Sequence, residues 1–376
     1  MGGPWRLFRA ARAPEAVPGR IWLHADAGEG AAAGAAAALA GTLAEIADPG
    51  QLVITGAGAA VAGARVPVKL SGGRRGLRAF LSEWRPALGL MVAPPLPGAA
   101  LIAAAGWAGL PLHLVLAGTP ARLPARRLRR FALVHVDDTR AAAAVRRAGL
   151  PAGRVSSVGP LGIPPQPPAA PAPARAALAQ ALVHRPVWYA AGLTEAEIAP
   201  ALAAHRVLMR RVHRLVMVLA PATGADGAAL AQRLSAEGWQ LARRGAGELP
   251  GERCEIVLAD AAGEEGLWLR LAPVTLLGGT LAGSGPTLRP DWAAQLGSAL
   301  LAGPARGTGA GAEALEALAG AGGLRRIETG QALVPALEAL LNPAEAAAQA
   351  SAAWDVVTAP AGATRQVVRR ALAAAG

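Results

Sequence analysis

The sequence predicts an α/β chain of two domains, each a mostly parallel sheet covered by helices. Three observations predict it. Short apolar runs alternate with alanine-rich helical stretches along all 376 residues, the pattern of repeated βαβ units. A proline-rich stretch at 164–174, PPQPPAAPAPA, interrupts that alternation near the middle and can continue neither a helix nor a central strand. The length suits two ordinary domains and is too great for one simple core.

In the first half, apolar runs at 21–25, 51–55, 88–93, 111–116, 132–136 and 154–158 read as strands. Helical stretches such as 30–47, 98–108 and 138–148 lie between them. The proline-rich stretch reads as a semi-rigid linker, so the domains are placed at 1–163 and 175–350. The second half restarts with RPVWYAAG at 185–192, followed by strand-like runs at 213–219, 254–259, 272–277, 298–301 and 323–327. Helices fill 195–210, 226–237, 263–270, 310–320 and 330–341. The tail is alanine-rich and contains Pro360, which predicts a pair of helices broken there. Two similar halves joined by a linker suggest two facing Rossmann-like domains, and no tight internal repeat points to a solenoid.

Composition narrows the partners. Hydrophobic residues make up 53% and charged residues 16%, so a large core is available, although alanine supplies much of it. The net charge of +12, carried by arginine with Lys69 the only lysine, favours anionic partners. Tyr189 is the only tyrosine and phenylalanines number three, so base-stacking platforms for RNA are poorly supplied. Cys254 stands alone, which excludes a disulfide framework or thiolate zinc cluster and fits a reducing compartment. No run approaches the ~20 apolar residues of a bilayer span. The start, MGGPWRLFRAARAP, is basic and partly amphipathic, suited either to an anionic membrane surface or to a solvated terminus.

The segment IWLHADAGEG at 21–30 ends a strand-like run in His24, then turns through Asp26, Gly28 and Glu29 into a helix. A carboxylate at the carboxyl end of a first parallel strand stands where open α/β sheets hold ligands. The helix dipole favours its ionised form there, as a general base requires. Glu29 equally suits a plain first-turn residue. In the second half three glycine-marked turns follow strand-like runs, at 190–194, at Asp260 through Gly263 and Glu264, and at Gly278-Gly279-Thr280 continuing to Ser284-Gly285-Pro286. Such turns let backbone amides approach a phosphate. Asp291, just after Pro290, reads as a ribose-diol acceptor or as a helix-start residue. Of six histidines only His24 is placed to function, with a satisfied structural role as the alternative, and none has metal-ligand spacing. The cluster at Arg122, Arg126, Arg127, Arg129 and Arg130 reads as a cationic patch for lipid phosphates or anionic sugars, or as a solvated face.

Taken together, these segments resemble the Kdo transferase family, which moves 3-deoxy-D-manno-octulosonic acid from CMP-Kdo onto a lipid A precursor. IWLHADAGE is similar to that family's I-W-x-H-A-x-S-x-G-E with one residue fewer. RPVWYAAGLTEAEI is similar to R-P-V-W-x-A-A-S-T-H-x-G-E-E, and LGSALLAGP to L-G-x-P-V-L-x-G-P. The stretch ending DAAGEEGLWLRLAPVTLLGGTL is similar to the region of D-T-x-G-E-L and G-G-S-L. The resemblance implies a glycosyltransferase-B architecture, with an acceptor domain first, a CMP-sugar domain second and a helical tail at 351–376. It implies Glu29 as the base, donor contacts from Gly192, Thr194, Pro221, Asp260, Gly263, Glu264, Gly279, Thr280 and Asp291, and acceptor contacts from His24, Arg122 and Arg126. No metal or other cofactor is implied beyond the CMP-sugar donor. The partners implied are a lipid A precursor, the CMP-sugar and an anionic membrane surface, without nucleic acid. The place implied is the cytoplasmic face of the inner membrane, peripherally, or the cytoplasm. The sequence departs from the family where S-T-H becomes Gly192-Leu193-Thr194, P-R-H-P becomes Pro221-Ala222-Thr223-Gly224, and E-T-E-L-W-P becomes Ala93-Pro94-Pro95-Leu96-Pro97. G-G-H-N-P-L-E-P likewise becomes the segment from Ser284 to Asp291, which adds Arg289. These departures leave open a weak or inactive relative that acts as a binding or regulatory protein at the membrane.

Overall fold

The computed structural model describes residues 17–26, 29–48, 50–56, 67–68, 73–118, 124–283, 285–305 and 307–376. The basic start, Gly28, Arg122 and Ser284 lie outside the described residues. The chain forms two compact units, Met1–Ile163 with Ala359–Gly376, and Pro164–Thr358.

The first unit contains β1 (Ile21–Ala25), β2 (Leu52–Thr55), β3 (Pro67–Val68), β4 (Leu88–Ala93), β5 (Leu112–Leu116), β6 (Leu133–Val136) and β7 (Val155–Ser157). All pair in parallel, in the order β3-β2-β1-β4-β5-β6-β7. Its helices are α1 (Gly30–Ile46), α2 (Gly73–Trp84), α3 (Ala99–Trp107), the single turn α4 (Ala125–Leu128) and α5 (Thr139–Arg147). Parallel strands are covered on both faces, so they read as continuous apolar runs rather than as alternation. β1 shows this at every position. Trp22 packs at 5.0 Å against Phe80 of α2, while Ile21 and Leu23 meet the alanine face of α1. Small residues let α1 lie close to the sheet, at the cost of little apolar area per residue.

The second unit contains α6 (Ala172–Ala181), β8 (Val187–Leu193), α7 (Glu195–Met209), β9 (Val216–Pro221), α8 (Gly227–Ala236), β10 (Leu241–Arg243) and β11 (Ile256–Leu258). It continues through α9 (Glu265–Leu271), β12 (Val274–Leu277), α10 (Pro290–Gln295), β13 (Ala299–Ala302), α11 (Ala310–Gly320), β14 (Leu324–Arg326) and α12 (Leu333–Leu340) into α13 (Pro343–Ala375). Its sheet runs β10-β11-β9-β8-β12-β13-β14, again parallel throughout. The strand order therefore reverses beside β1 in one unit and beside β8 in the other. Ligands of doubly wound sheets gather at such points.

Three expectations need correction. Edge strands β3 and β10, two and three residues long, carry too few positions for a period to register. The proline-rich stretch, expected as a semi-rigid linker between the domains, belongs to the second unit. Arg270 Nη1 donates to Pro168 O at 2.9 Å and Gln295 Nε2 to Pro165 O at 2.9 Å, so it is packed onto the second unit, and α6 already begins at Ala172. The tail is one helix with Pro360 inside it. A mid-helix proline costs about 3 kcal/mol, but Val367, Val368 and Ala371 are fully buried against the first unit's core. Each buried valine returns about 1.5–3 kcal/mol. Thr364 Oγ1 adds a tie, accepting from Gly162 N at 3.1 Å and donating to Pro360 O at 2.8 Å.

Candidate functional site

In the second unit, the turns after β8, β9 and β11 open on a cavity of about 320 Å³. Tyr189, Gly192, Thr223, Asp260, Glu264 and Thr287 are among its walls. β8 ends with a register shift against β9, and Gly192 there has φ +68°. Thr287 folds back onto this turn, donating its hydroxyl to Gly192 O at 2.7 Å and its amide to Gly278 O at 3.0 Å. Ala222 N donates to Leu193 O at 2.8 Å, which seats the 221–225 turn beside the first. Asp226 then caps α8, accepting from Ala228 N and Ala229 N at 2.9 and 3.0 Å.

Two ion pairs fix the remaining wall. Asp260 accepts from Arg243 Nε and Gly245 N, both at 2.6 Å. A Cβ at Gly245 would fall 2.7 Å from that carboxylate, so glycine is needed for the approach. Glu264 takes Arg244 in a bidentate pair at 3.0 and 2.7 Å. Hydrogen bonding to Glu264 raises the pKa of Arg244 further. Burial pushes the Tyr189 hydroxyl's pKa up. Among the described residues, no lysine or arginine lines the cavity. Its arginine neighbours are already neutralised, so an anionic ligand would meet chiefly backbone amides and hydroxyls.

The structure brings Gly192, Pro221, Asp260 and Glu264 to this cavity. Gly263, with φ +80°, belongs to the turn between the last two. The other four donor candidates are placed differently. Thr194 caps α7 and donates both its amide and its hydroxyl to Glu197 at 2.9 Å. The amide of Gly279 is taken by the same carboxylate at 2.6 Å. Thr280 is fully buried, donating to Leu277 O and accepting from Gly303 N at 2.8 Å. Asp291 is held by Arg289 at 3.1 and 2.7 Å, so neither is free for a ligand without breaking that pair. The amides of Gly278, Gly279, Leu281, Ala282 and Gly285 in the third glycine turn are therefore taken internally, correcting the expectation that this turn presents them to a phosphate. Glu197 was not foreseen as part of the site. Its signal was the spacing Thr194-x-x-Glu197 before an apolar helix, the mark of a capping box.

In the first unit, Glu29 stands at the N-cap of α1 in extended conformation, exposed and without a capping hydrogen bond of its side chain. Over the first turns of the same helix, Ala31, Gly34 and Ala38 border a cavity of about 360 Å³ with Ala117 and Asp137 at the ends of β5 and β6. His24 is buried, with Nδ1 2.8 Å from Thr55 Oγ1 and Nε2 3.3 Å from Asp26 Oδ2. Trp22 Nε1 donates to the same hydroxyl at 2.7 Å. A neutral ring that donates from Nε2 to Asp26 accepts the Thr55 hydroxyl at Nδ1, so the whole chain of bonds is satisfied. Burial lowers the His24 pKa, and the charge of Asp26 opposes that shift in part. Both ring nitrogens are therefore engaged, and His24 orients Asp26 rather than meeting an acceptor directly. Arg126 lines a different groove of about 450 Å³ with Trp107, Arg127 and Arg130. There the exposed Trp107 ring carries the Arg78 guanidinium 4.6 Å from its centroid.

Comparison with known proteins adds a partial likeness. No protein-family model matches the chain. Over 97 residues it is 32% identical to a 3-deoxy-D-manno-octulosonic acid transferase of Haemophilus influenzae, covering 26% of this chain and 23% of that protein. The match thus spans about a quarter of the curated relative's length. Among solved structures, the C-terminal CMP-Kdo binding domain of WaaA from Acinetobacter baumannii is similar at 21% identity, covering 48% of this chain and 95% of that one, with a TM-score of 0.44. MurG of the same organism is similar at 14% identity over 93% of this chain and 98% of the other, with a TM-score of 0.45. The chain is Kdo transferase-like in sequence over a fragment. Its two doubly wound units, with the last helix ending in the first, follow the chain plan of a glycosyltransferase-B fold.

Proposed function

We propose that this chain is a glycosyltransferase of the Kdo transferase type, moving an acidic sugar from a CMP-activated donor to a hydroxyl of a lipid A-like acceptor. The observation that carries the reading is the cavity at the carboxyl ends of β8, β9 and β11, walled by the turns that resemble the family in order and spacing. The fragment of 32% identity supports the same family. In this reading the second unit takes the nucleotide. Turn amides and the Thr223 hydroxyl are the groups available to it, since the neighbouring arginines are paired and the Thr287 hydroxyl donates to Gly192 O.

Glu29 is the proposed base. An acceptor hydroxyl gives its proton to the Glu29 carboxylate as its oxygen bonds to the anomeric carbon. The bond from that carbon to the phosphate oxygen breaks, and CMP leaves with the electron pair. The site at the end of β1 suits this role because Glu29 sits unpaired by its own helix while the α1 dipole stabilises its charge. The reaction as proposed draws on these side chains and the donor alone. The groove of Trp107, Arg126, Arg127 and Arg130 joins one exposed aromatic to several cations, the combination that holds a protein against anionic lipid. We place the acceptor at such a surface, on the cytoplasmic face of a membrane. Among the described residues no helix is long and apolar enough to cross one.

The test is CMP binding by calorimetry and sugar transfer from CMP-Kdo to a lipid A precursor, using the full chain. Glu29→Gln should leave CMP affinity unchanged and lower kcat by about 10²–10⁴-fold. Full activity in that variant removes Glu29 as the base. Absence of saturable CMP binding, with retained binding to anionic vesicles, favours the inactive binding protein instead.

A further inference from the structure

Glu197 has no exposed surface, although a carboxylate is among the groups most costly to bury. Its Oε2 accepts from Thr194 N and Thr194 Oγ1 at 2.9 Å and from Gly279 N at 2.6 Å. Its Oε1 accepts from Leu281 N at 2.7 Å and Ala282 N at 3.1 Å. The backbone donors come from two turns more than eighty residues apart, one after β8 and one after β12. Burial alone would raise the Glu197 pKa, but these amides more than compensate and hold it below the ordinary value. The carboxylate is thus a fixed internal anion in a nest of amides of the kind that elsewhere receives a phosphate.

The nest is connected to the cavity. Gly279 O accepts from Gly285 N at 2.9 Å, Gly278 N donates to Ala191 O at 2.8 Å, and Gly278 O accepts from Thr287 N at 3.0 Å. Pinning 279–282 therefore fixes the return of the chain at 285–287. There Thr287 reaches Gly192 and forms the cavity wall. Glu197 itself is not among the wall residues.

We propose that Glu197 is a positioning residue of the nucleotide cavity. Its carboxylate fills the third glycine turn's anion seat and clamps that turn to the β8 turn, which sets the Gly192–Thr287 wall. Its relevance to a donor rests on the reading above, but the clamp is a property of the chain. A ligand therefore binds in the cavity beside this turn and not on the amides of 279, 281 and 282.

Hydrogen exchange and thermal unfolding of the full chain test the clamp without any nucleotide. Glu197→Ala should lower the melting temperature by about 6–12 °C and speed exchange across 278–288 at least tenfold, leaving the first unit's exchange unchanged. Added acetate or formate should restore much of the loss saturably in Glu197→Ala and do nothing in the wild type. Glu197→Gln, whose side-chain NH₂ must face one of the two donor sets, should show the same exchange defect without rescue. It remains the measurable variant if the alanine protein does not fold. Unchanged exchange across 278–288 in the folded variant overturns the clamp. CMP affinity is read in parallel. A wild type that does not bind CMP defeats the transferase reading alone, whereas a wild type that binds it, with Glu197→Gln at least tenfold weaker, supports both. Equal CMP affinity in the two overturns the positioning role.

Discussion

Replacing Gly192 by alanine probes how the cavity wall is built. At φ +68° an L-residue carries a backbone cost of about 1–2 kcal/mol. The added Cβ would stand 3.0 Å from Thr287 Cβ and closer still to the Thr287 hydroxyl, which donates to Gly192 O at 2.7 Å. Swinging that hydroxyl away forfeits a bond worth about 1 kcal/mol. The sum is about 2–3 kcal/mol, which for a unit of this size lowers the melting temperature by roughly 5–10 °C. Thr287→Ala removes the hydroxyl, so in that background Gly192→Ala should cost the backbone term and the remaining 3.0 Å approach to the Cβ of residue 287, without the lost hydrogen bond. The expected coupling is about 1 kcal/mol, read from denaturant unfolding of the wild type, both single variants and the double variant. A cost for Gly192→Ala that is the same in both backgrounds would refute the contact as the origin of the wall.

Two other outcomes are expected from the geometry. His205 accepts from Trp188 Nε1 at 3.2 Å and lies 3.1 Å from Glu255 O through Nε2, and burial lowers its pKa from 6.5 to about 4. The native state thus holds fewer protons than the unfolded chain between these values, so the contribution is complete above pH 6.5 and is lost as the pH falls toward 4. The size is roughly 3 kcal/mol, measured as urea midpoints of wild type and His205→Asn. A variant as acid-sensitive as the wild type in the second unit would contradict it. At the groove of the first unit, Trp107→Ala should weaken binding to anionic vesicles several-fold and leave CMP affinity unchanged. Undiminished vesicle binding in that variant would remove this face as the lipid contact.

The strands that carry the site were legible because each is a short apolar run, and burial of a parallel sheet on both faces imposes that pattern locally. Glu29 was legible for a similar reason, since a turn followed by a helix places its first carboxylate by short-range geometry alone. The proline-rich stretch misled because its composition states only which backbones it cannot adopt. That Pro165 and Pro168 offer carbonyls to Gln295 and Arg270 is decided by residues more than a hundred positions away. Pro360 misled in the same way. Local propensity predicts a break, and the burial of Val367 and Val368 overrides it.

Sequence by itself determined that the chain folds as two parallel α/β halves and that glycine turns close the strands of the second. Apolar periodicity and left-handed backbone are properties of a few consecutive residues. Only tertiary structure decided what those turns do. It gave the amides at 279, 281 and 282 to Glu197, gave Arg243 and Arg244 to Asp260 and Glu264, and left a cavity whose walls carry no free cation among the described residues. Which carboxylate reaches which donor depends on the packing of segments far apart in the chain, and a charge-assisted hydrogen bond forms only at contact distance, which residue type alone does not reveal.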